Sequence, residues 1–457
     1  MISTTETYPS VLTKRRSLFW RIHFWAALIA SPFALLAALT GILYLFSPQI
    51  EQYLYAHLDH VQVRDERLAL DTVVAAAQAA MPHGATLNAV FPAQHADDSV
   101  RLLFISPQLT SANQEQGHST HGAMRNTATA APLSSWVADA IGTSVYVDPY
   151  SAQVLGIQTA NTRFSAWSKK LHSQLLQGEG WRWMIELAAS WLMVMLLTGI
   201  WLWWPRRLTD GVPERDAVGR RWWSQWHAFL GVTLSILSFV MLTTGLTWSK
   251  YAGSQIRWMR DAVGQQSPQA PRGLRSTPLT NTLAMNWQQA NDATQHLAPN
   301  IALRLIAPSV KNGTWRVMSA NPAQALQRTD MLLDAYSGKV LFRAGWRDQT
   351  IFGQATGIGI PFHRGELGWW NQLLLLVFGL GILFSLISGW VMFVKRRQTG
   401  APALPKLLPG AWRAASPLFW LVAIALCIAM PVLAVSATLV LLLEFTLARQ
   451  RMNGTAQ

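Results

Sequence analysis

Five uninterrupted apolar runs constrain this chain more than any other feature of its sequence. They lie near Ile22 to Phe46, Trp181 to Trp204, Trp223 to Trp248, Trp369 to Val394 and Pro417 to Phe445. Each can cross a hydrocarbon core of about 30 Å, which takes roughly 20 helical residues. Lipid offers the backbone no hydrogen bonds, so runs of this length are expected to fold as helices. Only 13% of the residues are charged and mean hydropathy is positive, a balance foreign to soluble chains of 457 residues. Many of the 23 Trp stand beside the apolar runs, where amphipathic rings suit the headgroup layer. The first run is longer than the apolar core of a signal peptide and no small-residue cleavage site follows it, so it is expected to remain as an anchor.

A net charge of +14 raises nucleic acid as a partner, but the placement of the charges argues for topology instead. Lys14, Arg15, Arg16 and Arg21 precede the first run, and Arg206 and Arg207 follow the second. Arg220 and Arg221 precede the third, and Lys395, Arg396 and Arg397 follow the fourth. All fall on one side if the N-terminus is cytoplasmic, the pattern of a bacterial inner-membrane protein, with anionic lipid as a minor partner. Arg449 and Arg451, beyond the fifth run, would then stand on the disfavoured side if that run crosses once. The single cysteine, Cys427, lies inside an apolar run, which excludes an intramolecular disulfide and a thiolate cluster. With no Cys-x-x-Cys-His, any haem is held without covalent attachment. There is no Gly-x-Gly-x-x-Gly, Walker loop, Gly-x-Ser-x-Gly or His-Glu-x-x-His, so the chain does not itself draw electrons from a soluble dinucleotide.

The expected division is a cytoplasmic N-terminus over 1–21, spans over 22–46, 181–204, 223–248, 369–394 and 417–445, outer lobes over 47–180 and 249–368, cytoplasmic loops over 205–222 and 395–416, and a tail over 446–457. Both lobes read as α+β. The first has a helix over 71–81, strands over 100–105 and 143–147 and a hairpin over 147–155. The second repeats the order with a helix over 279–290, strands over 301–307 and 314–319 and a hairpin over 333–342. Residues 108–135, rich in Ser, Thr, Ala, Asn and Gly, read as a loop.

That order reflects an internal repeat. Asp148-Pro-Tyr-Ser-Ala-Gln-Val-Leu155 recurs 186 positions later as Asp334-Ala-Tyr-Ser-Gly-Lys-Val-Leu341. His23 stands 18 residues before Gly41 of a Leu-Thr-Gly, and His227 stands 18 before Gly245 of a Thr-Thr-Gly. Leu-Thr-Gly199 and Ile-Ser-Gly389 close spans two and four before basic ends, with His172 and His363 upstream. The chain is two copies of helix, outer lobe, helix, so the copies are expected to be related by an axis along the membrane normal.

The repeat pairs His23 with His227 near the cytoplasmic face and His172 with His363 near the outer face. An interfacial histidine taken singly is more often a hydrogen-bonded structural side chain. Four in two repeat-related pairs point instead to axial ligation of two stacked haems, because ionisable groups at membrane depth are functional candidates and helical bundles hold such cofactors. His57 with His60, and His118 with His121, offer weaker metal pairs, since solvated histidines are commoner than ligands. Glu186 and Glu444 are isolated acids with a conceivable proton-handling role. Arg163, Lys169, Lys170 and Arg364 offer positive charge on the outer side for an acidic ligand.

The paired Asp-x-Tyr-Ser-x-x-Val-Leu hairpins, the Arg21-Ile-His23-Phe-Trp25 helix entry, Phe362-His363-Arg364-Gly365, and the span ends Trp204-Pro-Arg-Arg207 and Val394-Lys-Arg-Arg397 resemble the PepSY-associated transmembrane helix family. The resemblance covers residues 14–397. It implies an integral membrane helical bundle with four core spans in two repeats, a fifth span outside it, and two periplasmic α+β PepSY-like lobes. Likeness to its FoxB-like ferric siderophore reductases implies two noncovalent, bis-histidine haem b groups on His23, His227, His172 and His363. It further implies an enzyme that reduces a periplasmic ferric siderophore; the electron donor, a quinol or a cytoplasmic reductase, is left open by the sequence. Two other classes compete: a membrane-anchored module that binds peptides or modulates a peptidase, and a transporter of the iron complex, against which the paucity of polar residues in the spans argues.

Overall fold

The computed structural model describes residues 9–105, 142–204, 211–321, 323–398 and 404–454. The helices are α1 (Val11–Leu45), α2 (Leu70–Ala79), α3 (Phe164–Gln174), α4 (Trp183–Trp203), α5 (Gly219–Thr233), α6 (Ser235–Thr247), α7 (Tyr251–Ala262), α8 (Trp287–Leu297), α9 (Ile351–Arg364), α10 (Trp369–Gln398), α11 (Pro417–Ala429) and α12 (Pro431–Gly454). Short helical turns also occur between α1 and α2. The strands are β1 (Thr86–Phe91), β2 (Val100–Ile105), β3 (Thr143–Val147), β4 (Val154–Thr159), β5 (Leu303–Ile306), β6 (Thr314–Ser319), β7 (Thr329–Asp334) and β8 (Val340–Gly345). They divide into two compact units. The helical unit comprises Met1–Leu45, Lys170–Gly264 and Phe362–Gln457, and the sheet unit comprises Phe46–Lys169 and Gln265–Pro361. Residues 170–180 and 249–264, assigned to the lobes on sequence, therefore belong with the helices, as do 362–368. The loop expected over 108–135 lies outside the described residues.

Among the described residues of the helical unit, three helices are long and apolar enough to cross a membrane: Val11–Leu45, Glu179–Trp203 and Trp369–Arg397. The expected third span is broken at Leu234: α5 and α6 meet at 59° and count as a fourth span only together. Leu234 fills the notch left by Gly381 on α10, where a Cβ would come within 2.4 Å of its Cδ1. Both α1 and α5 lie against α4 and against α10, contacts compatible with a membrane helical bundle.

The fifth run is not one span. Met430 leaves helical geometry because the residue before a proline is driven toward extended backbone, and Pro431 has no amide to continue the ladder. Phe419 on α11 meets Phe19 edge-on at 5.6 Å, whereas Met430 and Leu433 join a buried cluster with Leu246 and Ala252. Then α12 runs back, with Ser436 accepting the Trp191 indole N–H at 2.9 Å and Glu444 meeting Arg21 at 2.7 Å. The segment is a helical hairpin that returns its C-terminal end to the Arg21 end of α1, so Arg449 comes back to the same end as the other basic residues.

In the sheet unit the two expected lobes form one antiparallel eight-stranded sheet in the order β4-β3-β2-β1-β5-β6-β7-β8. The join is the pairing of β1 with β5, in which Val90 opposes Leu305. Both helices, α2 and α8, pack on a shared core that includes Val73, Phe104, Leu305, Val317 and Leu333, side chains worth about 1.5–3 kcal/mol each when fully buried. The helix expected over 279–290 instead starts at Asn286, which caps the Gln289 amide in a capping box, while Asn281 upstream is left-handed with φ +59°. The N-termini of α2 and α8 cap one another. Asp71 accepts the Trp287 and Gln288 amides at 3.1 and 3.0 Å, and Gln288 Oε1 accepts the Leu70 amide at 2.8 Å.

The repeated Asp-x-Tyr-Ser hairpins are turns held by their own carboxylates. Asp148 accepts the Tyr150 amide and the Ser151 hydroxyl at 2.8 and 2.7 Å, and Asp334 accepts the Tyr336 and Ser337 amides, both at 2.9 Å. The closing residue is left-handed in both copies, Gly338 at φ +69° and Ala152 at φ +57°.

Candidate functional site

All four histidines belong to the helical unit. His23 is on α1, His227 on α5, His172 near the end of α3 and His363 near the end of α9. Left-handed residues at Leu175, Leu176 and Gly178 turn the chain between α3 and α4, and Gly365 at φ +75° turns it between α9 and α10. A Cβ on Gly365 would come within 2.2 Å of Leu45 Cδ1, so only glycine serves there.

One local device holds each imidazole. His23 Nδ1 is 3.0 Å from Thr198 Oγ1, His172 Nδ1 is 3.0 Å from Thr40 Oγ1, His363 Nδ1 is 3.0 Å from Thr244 Oγ1, and His227 Nδ1 is 2.9 Å from Ser388 Oγ. Thr40, Thr198 and Thr244 each donate their hydroxyl proton to the carbonyl one turn back, of Leu36, Val194 and Val240, at 2.7 Å. Ser388 donates to the Ser385 carbonyl at 2.9 Å. With its proton so used, each hydroxyl is left as an acceptor, and the proton between it and the imidazole must sit on Nδ1. His227 shows this independently, because its Nδ1 also lies 3.0 Å from the Ser385 carbonyl, which can only accept. All four histidines therefore carry the proton on Nδ1 and present the Nε2 lone pair, the arrangement that imidazole metal ligands adopt.

The residue after each hydroxyl is glycine, and at 41, 199 and 245 the close approach of the imidazole accounts for it. A Cβ at position 41, 199 or 245 would meet a histidine Cε1 at 3.3, 3.2 or 3.2 Å, and at position 389 at 3.9 Å. These hydroxyls and glycines form the support that the sequence reading missed as chemistry. Its signal was present, since the Thr-Gly and Ser-Gly steps recur in all four spans and were read only as markers of the repeat.

His23 and His227 face each other with ring centroids 6.4 Å apart and planes at 89°. Two imidazoles ligating one metal from opposite sides, with bonds of about 2 Å and ring centres about 1.2 Å further back, have centroids roughly 6.4 Å apart. The donor set and its spacing fit a bis-histidine haem iron. His172 lies near enough to His363 to act on it electrostatically, and burial pushes His363 down to about 4, with His172 and Arg364 adding to the effect. His172 is lowered by burial as well. Both are then neutral, the form that binds a metal.

The other sequence candidates have structural partners. Glu186 caps α7, accepting the Tyr251 and Ala252 amides at 3.0 and 2.7 Å. Glu444 takes Arg21 in a two-pronged pair at 2.7 and 2.8 Å and also accepts the Trp25 indole N–H, while Arg21 Nη1 donates to the Pro405 carbonyl at 2.6 Å. Arg163 is paired with Asp59 at 2.9 Å and Arg364 with Glu366 at 2.6 Å. His60 lies 3.4 Å from Asp97, and these two with Asp98 gather potential ligand atoms within 4.8 Å at an exposed site. His118 and His121 lie outside the described residues.

The chain matches the family description PepSY-associated TM region over residues 20–396. It belongs to that family. The match takes in all four histidines and their hydroxyl supports, and it ends before the α11–α12 hairpin, which this PepSY-associated membrane protein carries in addition. A search of curated proteins finds no match.

Proposed function

We propose that this protein is a b-haem reductase of the bacterial inner membrane, passing electrons across the bilayer to a periplasmic ferric chelate of the siderophore class and releasing ferrous iron. The N-terminus and the basic segments would be cytoplasmic and the sheet unit periplasmic. The observation that carries the reading is the fourfold support, in which every histidine is set with Nε2 free and His23 and His227 stand at a bis-ligand spacing. His23 with His227, and His172 with His363, would hold the two haems. Bound haem supplies reversible one-electron exchange at iron. The chain's own contribution is to fix each tautomer through Thr40, Thr198, Thr244 and Ser388, to keep His172 and His363 neutral by burial, and to exclude water from the bundle. Reduction would labilise a chelated iron, because hydroxamate and catecholate oxygens favour the harder ferric ion.

The test is the visible spectrum of detergent-purified protein, oxidised and dithionite-reduced, with pyridine haemochrome quantification, for the wild type, His23→Ala and His172→Ala. The expected result is about two b haems per chain, with one lost in each variant. A wild type that stays colourless after expression with added haem precursor would overturn the reading and favour a membrane-anchored peptide-binding module. Chelate moved into vesicles without change of iron oxidation state would favour a transporter.

A further inference from the structure

A groove of about 600 Å³ runs along the seam of α1 and α10 on an almost wholly apolar lining, between Ser31, Pro32 and Leu35 on one side and Ile387, Trp390 and Lys395 on the other. Its α10 wall is the reverse side of the helix whose Ser388 supports His227 of α5. Ile387 and Trp390 bracket Ser388, whose hydroxyl accepts from His227, and Gly389, against which that ring rests. An occupant would therefore be separated from the His23–His227 pair by about one helix thickness, roughly 10 Å.

Three polar features break the apolar surface. Trp390 donates its indole N–H to Ser31 Oγ at 2.9 Å across the seam. Pro32, which lines the groove, has no amide hydrogen, so the Leu28 carbonyl one turn below it lacks its helical donor. Lys395 lies at the end toward the basic terminus of α10. A ligand suited to this place has a flat ring for the Trp390 indole, a hydroxyl proton for the Leu28 carbonyl, and an apolar tail that lies along the seam.

We propose that the groove binds an isoprenoid hydroquinone from the bilayer. This rests on the reductase reading for its consequence: the hydroquinone would lose two electrons and two protons to become the quinone, the protons leaving to water at the Lys395 end, and the two electrons would reduce two ferric chelates by way of the one-electron centres that His23 with His227 and His172 with His363 would hold. Binding itself stands apart from that reading.

The experiment uses the full chain in lipid-containing micelles and a photoreactive azidoquinone with a short prenyl tail, with attachment mapped by mass spectrometry. Label is expected on the segments over 31–35 and 386–395, with competition by unlabelled hydroquinone. Leu35→Trp and Ile387→Trp fill the groove from either wall and are expected to cut labelling at least about tenfold. Leu439→Trp, on an exposed face of α12, should leave it unchanged. In parallel, stopped-flow absorbance should show haem reduction by a soluble hydroquinone slowed in the two filling variants, with the dithionite-reduced spectrum intact. Label spread over the apolar surface and indifferent to filling, or displaced by phospholipid but not by hydroquinone, would overturn the proposal and leave a lipid groove. A wild type without haem would end the reductase reading, and the labelling pattern would still decide the groove.

Discussion

Alanine at each of the four histidine-facing glycines offers a test with an internal control. At 199, 245 and 41 the new methyl would lie 3.2, 3.2 and 3.3 Å from an imidazole carbon, closer than ordinary contact, whereas at 389 the distance is 3.9 Å. Overpacking a buried site costs about 1–3 kcal/mol, and alanine recovers about 1 kcal/mol over glycine within a helix. Gly199→Ala is therefore expected to cost up to about 2 kcal/mol at the His23 site, roughly 30-fold in affinity for the proposed haem at 1.4 kcal/mol per decade. Gly389→Ala is expected to be neutral, or to stabilise by up to about 1 kcal/mol. The assay is titration of haem into protein expressed under haem limitation, read by the reduced α-band, together with thermal unfolding. If Gly389→Ala loses haem as readily as Gly199→Ala, or if Gly199→Ala binds both haems with wild-type affinity, the close-approach argument is wrong.

Three further predictions concern the scaffold. Arg21→Met should cost about 3–5 kcal/mol by stranding Glu444 among helices, and Arg21→Met with Glu444→Met together should cost less, as a double-mutant cycle in denaturant would show. Ala152→Gly, at a left-handed turn where the second repeat already has Gly338, should raise the stability of the sheet unit by up to about 1 kcal/mol, with no gain in the melting temperature counting against it. Burial works against the Asp334 charge, but amide donors from Thr277, Ser337 and Tyr336 outweigh it and hold the carboxyl below its ordinary value. Its folded pKa is depressed, so its contribution is present above the usual carboxylate range and is lost as pH falls through it. Asp334→Asn should flatten the acid limb of a stability profile, and an unchanged limb would contradict the assignment.

Most of the helical unit was legible because lipid-length apolar runs admit one secondary structure, and the repeat then paired the histidines without any structure. The join of the two lobes was not, since the pairing of β1 with β5 brings together segments more than 200 residues apart and leaves no local pattern. The strand at Thr86–Phe91 that makes it was itself overlooked. Pro431 marked a break in the fifth run, but reversal there depends on Glu444 finding Arg21, a tertiary contact. The hydroxyl supports were visible as recurring Thr-Gly and Ser-Gly steps, yet which histidine each one serves depends on helices crossing, which sequence does not record.

The supports have a consequence for ancestry. His23 leans on Thr198 and His172 on Thr40, all from the first half of the chain, while His227 leans on Ser388 and His363 on Thr244, all from the second. Each facing pair, by contrast, takes one histidine from each half. A chain of half this length would thus aim its own two imidazoles correctly but complete neither pair until it met a twin, and β1 would be left as a bare edge awaiting the same meeting. The two halves are thus arranged as the subunits of a homodimer would be, joined in one chain, with the α11–α12 hairpin standing outside the duplicated part.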